Sequence, residues 1–356
     1  MQKLAICKRS TSSTAKMRSK MNDFRAFESS IHSLMAASSI PGVSLATVEN
    51  GEVKVMPMGV AELDAMRPVV ETTVFDAASL SKPVTAYIAL QLVDSGAIEL
   101  DQPLSRIVPK GVPPQLASSP ITVRHVLTHT SGLPNLRSKE PLRTYFPPGS
   151  WFSYSSVGFT YLQMALEAVT TESLEALAKR LVFDPLEMQS SSFQWHERFN
   201  EDYATPHEDE KPLEKHRPAA AQASYSLQTT AGDYAKFIGA VLDGTSLTEA
   251  TRRQWLAPAV RVPREDAIHL ADSAPETERD VGWGLGWGVE TTDGTFFQWG
   301  KMDGVRAFAM GNPHTQSAIV LLTNSNRGLR LMEAAAKAVL PGHHPAFSWL
   351  QASVTE

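Results

Sequence analysis

Hydrophobic residues near the two ends of the sequence follow the pattern of one antiparallel sheet with helices beside it. Strand-like segments lie at residues 43–48, 53–56, 296–299, 307–310 and 319–323. Asn50-Gly51 separates the first two segments and is typical of a type I′ hairpin turn. Apolar residues recur at helical spacing over 24–37 and 329–340. The pattern predicts that both ends of the chain contribute to one sheet.

The middle of the chain has helical spacing instead. Helical segments lie at residues 84–93, 123–127, 157–169, 174–181 and 234–242. Residues 197–218 and 262–280 are polar and aperiodic, which predicts surface loops, although loops of this length also occur as lids or cleft walls. The predicted fold class is α+β: an antiparallel sheet flanked by terminal helices plus an inserted, mostly helical region.

These patterns divide the chain into regions. Residues 22–78 and 280–345 are expected to form a discontinuous sheet region, and residues 79–279 the mostly helical region between them. Residues 1–21 are basic and contain no apolar run long enough for a secretory signal, so a tail is expected, with a transit peptide as the alternative. Residues 346–356 are expected to be a second tail.

The composition is typical of a soluble enzyme that acts on small molecules. The 356 residues are 42% hydrophobic and 20% charged, and the net charge of −5 with dispersed basic residues disfavours a nucleic-acid partner. Cys7 is the single cysteine, which excludes an intramolecular disulfide and a thiolate metal cluster and suits a reducing compartment. No stretch has the length of a membrane span. Because no secretory signal is recognised, a cytoplasmic location is expected, and the oligomeric state is left open.

Ser79-Leu80-Ser81-Lys82 has a nucleophile and a base almost one helical turn apart. The Ser79 hydroxyl and the Lys82 amine can therefore share one face of the helix that follows. A serine hydroxyl reacts only when a neighbour takes its proton, and a lysine does so only when its pKa is lowered. A serine before a helix can also be a simple N-cap, so the spacing alone leaves both interpretations open.

Further motifs occur in a fixed order along the chain: FDAASLSK at 75–82, ITVRHVLTHTSGL at 121–133, PGSWFSYSS at 148–156 and GLGW at 284–287. With them the chain resembles the class C β-lactamase-like serine hydrolases, a family of β-lactamases, DD-peptidases, carboxylesterases and acyltransferases. The resemblance extends over residues 23–339. It implies a serine β-lactamase-like fold and an acyl-enzyme formed on Ser79.

The resemblance also implies roles for residues in the family's Y-x-N element, which corresponds to Tyr154-Ser155-Ser156. Tyr154 is expected to be the general base together with Lys82, with a phenol pKa lowered by two nearby lysines. Ser156 replaces the family's asparagine. It is expected to cap the helix that starts at residue 157 and to contact the substrate, although its hydroxyl reaches less far than an amide.

The family's third element, K-T-G or H-x-G, aligns with Lys301-Met302-Asp303. Lys301 keeps a cation at the first position and is expected to contact the substrate. Asp303 replaces a glycine and is expected to pair with Lys301, to recognise a substrate amine, or to point away. The resemblance implies an oxyanion hole formed by the backbone N–H groups of Ser79 and Gly304.

Three other patterns are interpreted as structural. His125 and His129 are four residues apart, but no third metal ligand accompanies them. Glycine alternates with aromatic residues over 282–288, which is typical of a strand, and no helix follows as a nucleotide loop requires. His343-His344 is expected to lie in a polar tail. The sequence implies no metal and no organic cofactor.

The expected function is esterase or acyltransferase activity on a small-molecule ester or thioester. A β-lactamase or D-amino-acid peptidase or amidase is the alternative, and it ranks lower because Ser156 and Met302 replace residues that hold peptide-like substrates. A non-catalytic binding or scaffold protein is the alternative from another class. Met302 and Asp303 favour it, and the joint presence of the serine, the lysine and the tyrosine opposes it.

Overall fold

The structure is a computed structural model that describes residues 25–108 and 113–354. The basic segment 1–21, with Cys7, lies outside the described residues. The strands are β1 (Gly42–Glu49), β2 (Glu52–Glu62), β3 (Arg67–Pro68), β4 (Phe75–Asp76), β5 (His207–Glu208), β6 (Lys211–Pro212), β7 (Gln228–Thr229), β8 (Val260–Pro263), β9 (Thr277–Trp283), β10 (Gly288–Glu290), β11 (Phe296–Met302), β12 (Val305–Asn312) and β13 (Ser317–Thr323).

The helices are α1 (25–37), α2 (Ser81–Asp94), α3 (Pro114–Ala117), α4 (Val123–Leu127), α5 (Ser156–Thr170), α6 (Leu174–Ala178), α7 (Ala231–Asp243), α8 (Glu249–Trp255), α9 (Met332–Ala336) and α10 (Pro345–Val354). Helices α2 to α8 lie between β3 and β9 in sequence, so the predicted α+β fold with an inserted helical region is confirmed. In the part of the chain that the structure describes, no helix is both long and apolar enough to cross a membrane.

One sheet joins the two ends of the chain. Its strand order is β3-β2-β1-β13-β12-β11-β10-β9-β8, and its neighbouring strands pair antiparallel. The Asn50-Gly51 turn has positive φ at both residues, +51° and +81°, as a type I′ hairpin requires. The predicted junction of the two ends is the pairing of β1 with β13.

Both faces of the sheet are covered, which explains why its central strands are continuously apolar. Along β1, Ala46 and Val48 pack in the core that contains α2, α5 and α7. Val43 and Leu45 pack in the second core, with α1, α9 and α10. Side chains alternate between the faces of a strand, so each face receives every second residue. Full burial of such side chains contributes about 1.5–3 kcal/mol each.

The two polar stretches contain some regular structure. Residues 197–218 are mostly loop and include the short hairpin of β5 and β6. Residues 262–280 differ from the expected loop because β8 ends and β9 begins inside them. β8 is the edge strand of the sheet and β9 lies beside it. The first half of β9 alternates between exposed and partly buried residues, so it lacks the apolar run of a central strand.

The expected tail over 346–356 is wrong for its described part, because Pro345–Val354 forms α10. Trp349 is 2% exposed, and its Nε1 donates a hydrogen bond to the Pro263 carbonyl at 2.8 Å. His344 is buried as well, rather than in a polar tail. Its Nδ1 lies 2.9 Å from a Glu290 carboxylate oxygen, and this hydrogen bond raises the pKa of His344.

We expect Trp349→Ala to lower the free energy of unfolding by about 3–5 kcal/mol, because it leaves a cavity between α10 and the sheet. Guanidinium denaturation followed by circular dichroism measures the change. Met66→Ala is the control: Met66 is 68% exposed, and exposed sites change stability by about 0.5 kcal/mol or less. Equal denaturation midpoints for the two variants would contradict the packing of α10.

Candidate active site

Ser79 lies in a short 3-10 turn, Ala78–Leu80, directly before α2. Ala78 has a φ of +46°, a left-handed conformation that is strained for a residue with a Cβ. An Asp76 carboxylate oxygen accepts the Ala78 N–H at 2.7 Å. The Ser81 hydroxyl donates to the Ala78 carbonyl at 2.6 Å. These contacts hold the turn that carries Ser79, which remains partly exposed in a cleft.

Lys82 lies beneath this turn and is 1% exposed. Its Nζ is 3.0 Å from the Ser79 hydroxyl and donates to the Ser224 carbonyl at 2.9 Å. It also lies over the Tyr154 ring, 4.7 Å from the ring centroid. Burial without a charged partner disfavours the ammonium form and lowers the pKa of Lys82 to about 7. A large fraction of the amine is therefore neutral near pH 7 and can accept the Ser79 proton.

Tyr154 is buried, and its hydroxyl is hydrogen-bonded to the Ser79 side chain. The Gln298 side chain donates to the same phenol oxygen at 2.8 Å. Burial outweighs both hydrogen bonds and raises the pKa of Tyr154. The expected lowering of this pKa is therefore wrong in direction. The physical reason is that Lys82 contacts the face of the ring, while a neutral amide contacts the oxygen.

His129 supports Tyr154 from beneath. The two rings stack with centroids 4.2 Å apart. The His129 Nδ1 accepts the Ser155 N–H at 3.0 Å, and burial, with the nearby Lys82, lowers the pKa of His129 well below its ordinary value. The ring is therefore neutral and structural, as the sequence indicated. His125 completes the capping box of α4, whose N-cap is Thr122: the His125 Nδ1 accepts the Thr122 N–H.

Ser156 is not the cap of α5. That role belongs to Ser155, whose hydroxyl accepts the Gly158 N–H at 2.9 Å, and Ser156 is the first residue of the helix. The Ser156 N–H and hydroxyl both donate to the Asn135 side-chain oxygen, at 3.1 and 2.9 Å. The sequence argument chose the wrong one of two adjacent serines because either can cap a helix.

Asp303 and Gly304 form the two-residue turn between β11 and β12, where Met302 faces Val305. Asp303 is exposed there rather than facing the substrate. The Gly304 carbonyl accepts the His207 N–H at 3.1 Å, so Gly304 lies against the start of β5 and outside the cleft lining. The expected positions of Asp303 and Gly304 are therefore wrong, whereas Lys301 lines the cleft.

Gln298-Trp299-Gly300, three residues earlier on β11, lies beside the Ser79 turn and Tyr154 instead. Gln298 is fully buried and contacts the Tyr154 hydroxyl. At Gly300 a Cβ would lie 2.7 Å from the Ala77 carbonyl, so the strand passes the nucleophile turn only because this residue has no side chain. The sequence comparison missed Gln298 because the only cation in this strand is Lys301.

The sequence also gave no sign of His216. Its Nδ1 lies 2.9 Å from the second Asp76 carboxylate oxygen. Asp76 thus joins the polar stretch 197–218 to the strained turn of Ser79. The pair is 140 residues apart in sequence, so no local motif contains it.

The cleft beside Ser79 has a volume of about 1090 Å³. Its wall is mixed in character. Apolar lining residues are Leu136, Val157, Ala267, Ile268, Trp299, Met302 and Ala352, and charged ones are Arg137, Glu265, Asp266 and Lys301. Such a cleft has room for a small organic substrate with both apolar and polar parts.

Known proteins share this sequence pattern and this fold. Esterase EstB of Burkholderia gladioli is 30% identical over 335 residues, which cover 75% of this chain and 81% of the esterase. A β-lactamase of Yersinia enterocolitica is 24% identical over 267 residues, which cover 71% of this chain and 66% of that enzyme. A solved class C β-lactamase has the same fold, with a TM-score of 0.73 and 21% identity over 91% of this chain and 98% of that structure. The profile of the β-lactamase family matches residues 27–343, and the chain belongs to this family of serine hydrolases.

Proposed function

We propose that this protein is an esterase or acyltransferase that forms an acyl-enzyme on Ser79 with small-molecule esters or thioesters. The observation that carries the proposal is the buried Lys82 amine, which lies 3.0 Å from the Ser79 hydroxyl and has a pKa of about 7. A nucleophile and a base at this distance form a working pair for acyl transfer. The relative that is named an esterase supports the choice of substrate.

In the proposed acylation, neutral Lys82 takes the Ser79 proton while the serine oxygen attacks the acyl carbonyl carbon. Tyr154 keeps its proton at neutral pH because its pKa is raised. Its hydroxyl adjoins the serine oxygen, so it serves as the acid that gives a proton to the leaving oxygen or sulfur. The Lys82 ammonium then returns a proton to Tyr154. Water or an alcohol releases the acyl group by the reverse steps.

The developing oxyanion needs two N–H donors, and we assign the second one to Lys301 instead of Gly304. Met302 and Val305 flank a two-residue turn and therefore form a hydrogen-bonded pair. Hydrogen-bonded pairs alternate along an antiparallel ladder, so the Lys301 N–H faces away from β12. That side of β11 borders the cleft, because β10 pairs with β11 only at Phe296 and Phe297. The Ser79 N–H is the first donor.

Two features of β11 disfavour the alternative functions. A non-catalytic scaffold function is disfavoured because the two residues that favoured it belong to a hairpin: Met302 flanks the turn and Asp303 lies in it. β-Lactamase activity is disfavoured by Gln298-Trp299-Gly300, which we assign to the family's third element. Gln298 is neutral where the family has a lysine or histidine, and Trp299 is bulky where the family has a small residue. A β-lactam drug carries a carboxylate that gains from a cation at this point.

We expect wild-type protein to hydrolyse p-nitrophenyl acetate and Ser79→Ala to lower kcat/KM by several orders of magnitude, because the nucleophile is lost. Spectrophotometric assay measures the rate, and a fluorophosphonate probe followed by mass spectrometry locates the adduct. Ser95→Ala, at the exposed end of the same helix, is the matched control. Undiminished turnover by the Ser79 variant would refute the assignment.

We expect kcat/KM for the same ester to rise with pH and to reach half its maximum at about pH 7, because protonated Lys82 cannot accept the serine proton. Lys82→Ala and Tyr154→Phe should each slow acylation at least about a hundredfold. Residual activity of Tyr154→Phe should keep the midpoint near neutrality. A wild-type midpoint near pH 10 would instead identify an unperturbed phenol or lysine as the base.

We expect kcat/KM for p-nitrophenyl acetate to exceed that for nitrocefin at least about tenfold, because the neutral Gln298 leaves the drug carboxylate without its cation beside Tyr154. Both substrates are assayed on one preparation, with Ser79→Ala as the blank for each. Equal efficiency on the two substrates would place β-lactamase activity first.

A further inference from the structure

The Asn135 side chain has a fixed orientation at the wall of the cleft. Its oxygen accepts two hydrogen bonds from Ser156, one from the main-chain N–H and one from the hydroxyl. A main-chain N–H can only donate, so the atom that faces Ser156 must be the carboxamide oxygen. The Nδ2 group therefore points away from Ser156.

The Asn135 Nδ2 donates to no protein acceptor among residues 25–108 and 113–354. Asn135 is only partly buried and lines the same cleft as Ser79 and Tyr154. Ser156, in contrast, uses both of its donors on Asn135. The amide donor that faces this part of the cleft thus belongs to Asn135, and Ser156 orients it.

We propose that Asn135 is a specificity-determining residue, which donates a hydrogen bond from Nδ2 to a carbonyl oxygen in the acyl chain of the substrate, with Ser156 as its positioning residue. The inference rests on the proposed esterase or acyltransferase function and narrows its substrate class. Preferred acyl groups carry an amide or a second carbonyl beyond the one that Ser79 attacks.

The charge of the cleft favours a neutral acceptor for this donor. Arg137 and Lys301 line the same cleft, and their positive charges attract a carboxylate toward themselves rather than toward the neutral Asn135 amide. Glu265 and Asp266 line it as well and repel an anion. A neutral carbonyl oxygen experiences neither effect strongly, so a single well-oriented N–H donor decides where it binds.

The test compares two p-nitrophenyl esters whose acyl chains have equal length: N-acetylglycinate, which carries an amide carbonyl, and pentanoate, which does not. Asn135→Asp keeps an oxygen that accepts from Ser156 and removes the N–H donor. We expect it to lower kcat/KM for the N-acetylglycinate by about three- to tenfold relative to pentanoate. Asn135→Leu should give the same change in ratio without adding a charge, and Ser156→Ala a smaller one.

Lys139→Ala, on the exposed part of the same loop, is the control and should leave the ratio unchanged. Comparison of each variant with wild type cancels the different intrinsic reactivities of the esters. Equal losses on both esters, or an unchanged ratio in an active enzyme, would overturn the role of Asn135 alone. A wild-type protein that hydrolyses neither ester and takes no fluorophosphonate label on Ser79 would overturn the proposed function together with it.

Discussion

The exclusion of water from the Lys82 amine is the constraint on which the site depends. In water a lysine is charged at neutral pH and cannot act as a base, and here burial alone lowers its pKa from 10.5 to about 7. A shift of this size means that charging the amine costs roughly 5 kcal/mol more in the folded protein than in the unfolded chain. Between these two pKa values the unfolded chain binds more protons, so the stability of the fold rises with pH across this range.

The surroundings of Lys82 are arranged to keep it dry and close to the nucleophile. Tyr154 and Phe159 cover it with aromatic rings, and His129 in turn supports Tyr154. Its hydrogen bonds go to two uncharged partners, the Ser79 hydroxyl and the Ser224 carbonyl. Among the residues that the structure describes, no carboxylate forms an ion pair with Lys82. Asp76, the acid nearest in sequence to Ser79, is hydrogen-bonded to Ala78 and His216 instead.

The parts of the structure that the sequence predicted are those with a local signal. Short apolar segments predicted the central strands, helical spacing predicted α5 and α7, and Ser79-x-x-Lys82 predicted that the serine hydroxyl and the lysine amine lie side by side. The error at Lys301-Met302-Asp303 came from matching a cation and a glycine to the family element. Asp303-Gly304 lies between two strand-like segments, and an Asp-Gly pair at such a position predicts a two-residue hairpin turn.

Other features had no local signal. The direction of the Tyr154 pKa shift depends on burial and on which atoms contact the ring and the oxygen, and both are tertiary properties. Gln298, His216 and the Asn135–Ser156 pair meet their partners through the fold. α10 had a weak signal in Pro345, since proline is favoured in the first turn of a helix, but the partners of Trp349 in the sheet lie fifty or more positions earlier in the chain.

The position of α10 also matters for handling the protein. Ala352 and Ser353 line the catalytic cleft, and the Trp349 ring lies 5.5 Å from Trp299, which forms the cleft wall. A purification tag fused directly to the end of α10 would therefore begin beside this cleft. Kinetic constants measured with such a tag would describe an altered entrance, and substrate preferences compared across laboratories would depend on how each recombinant protein had been made.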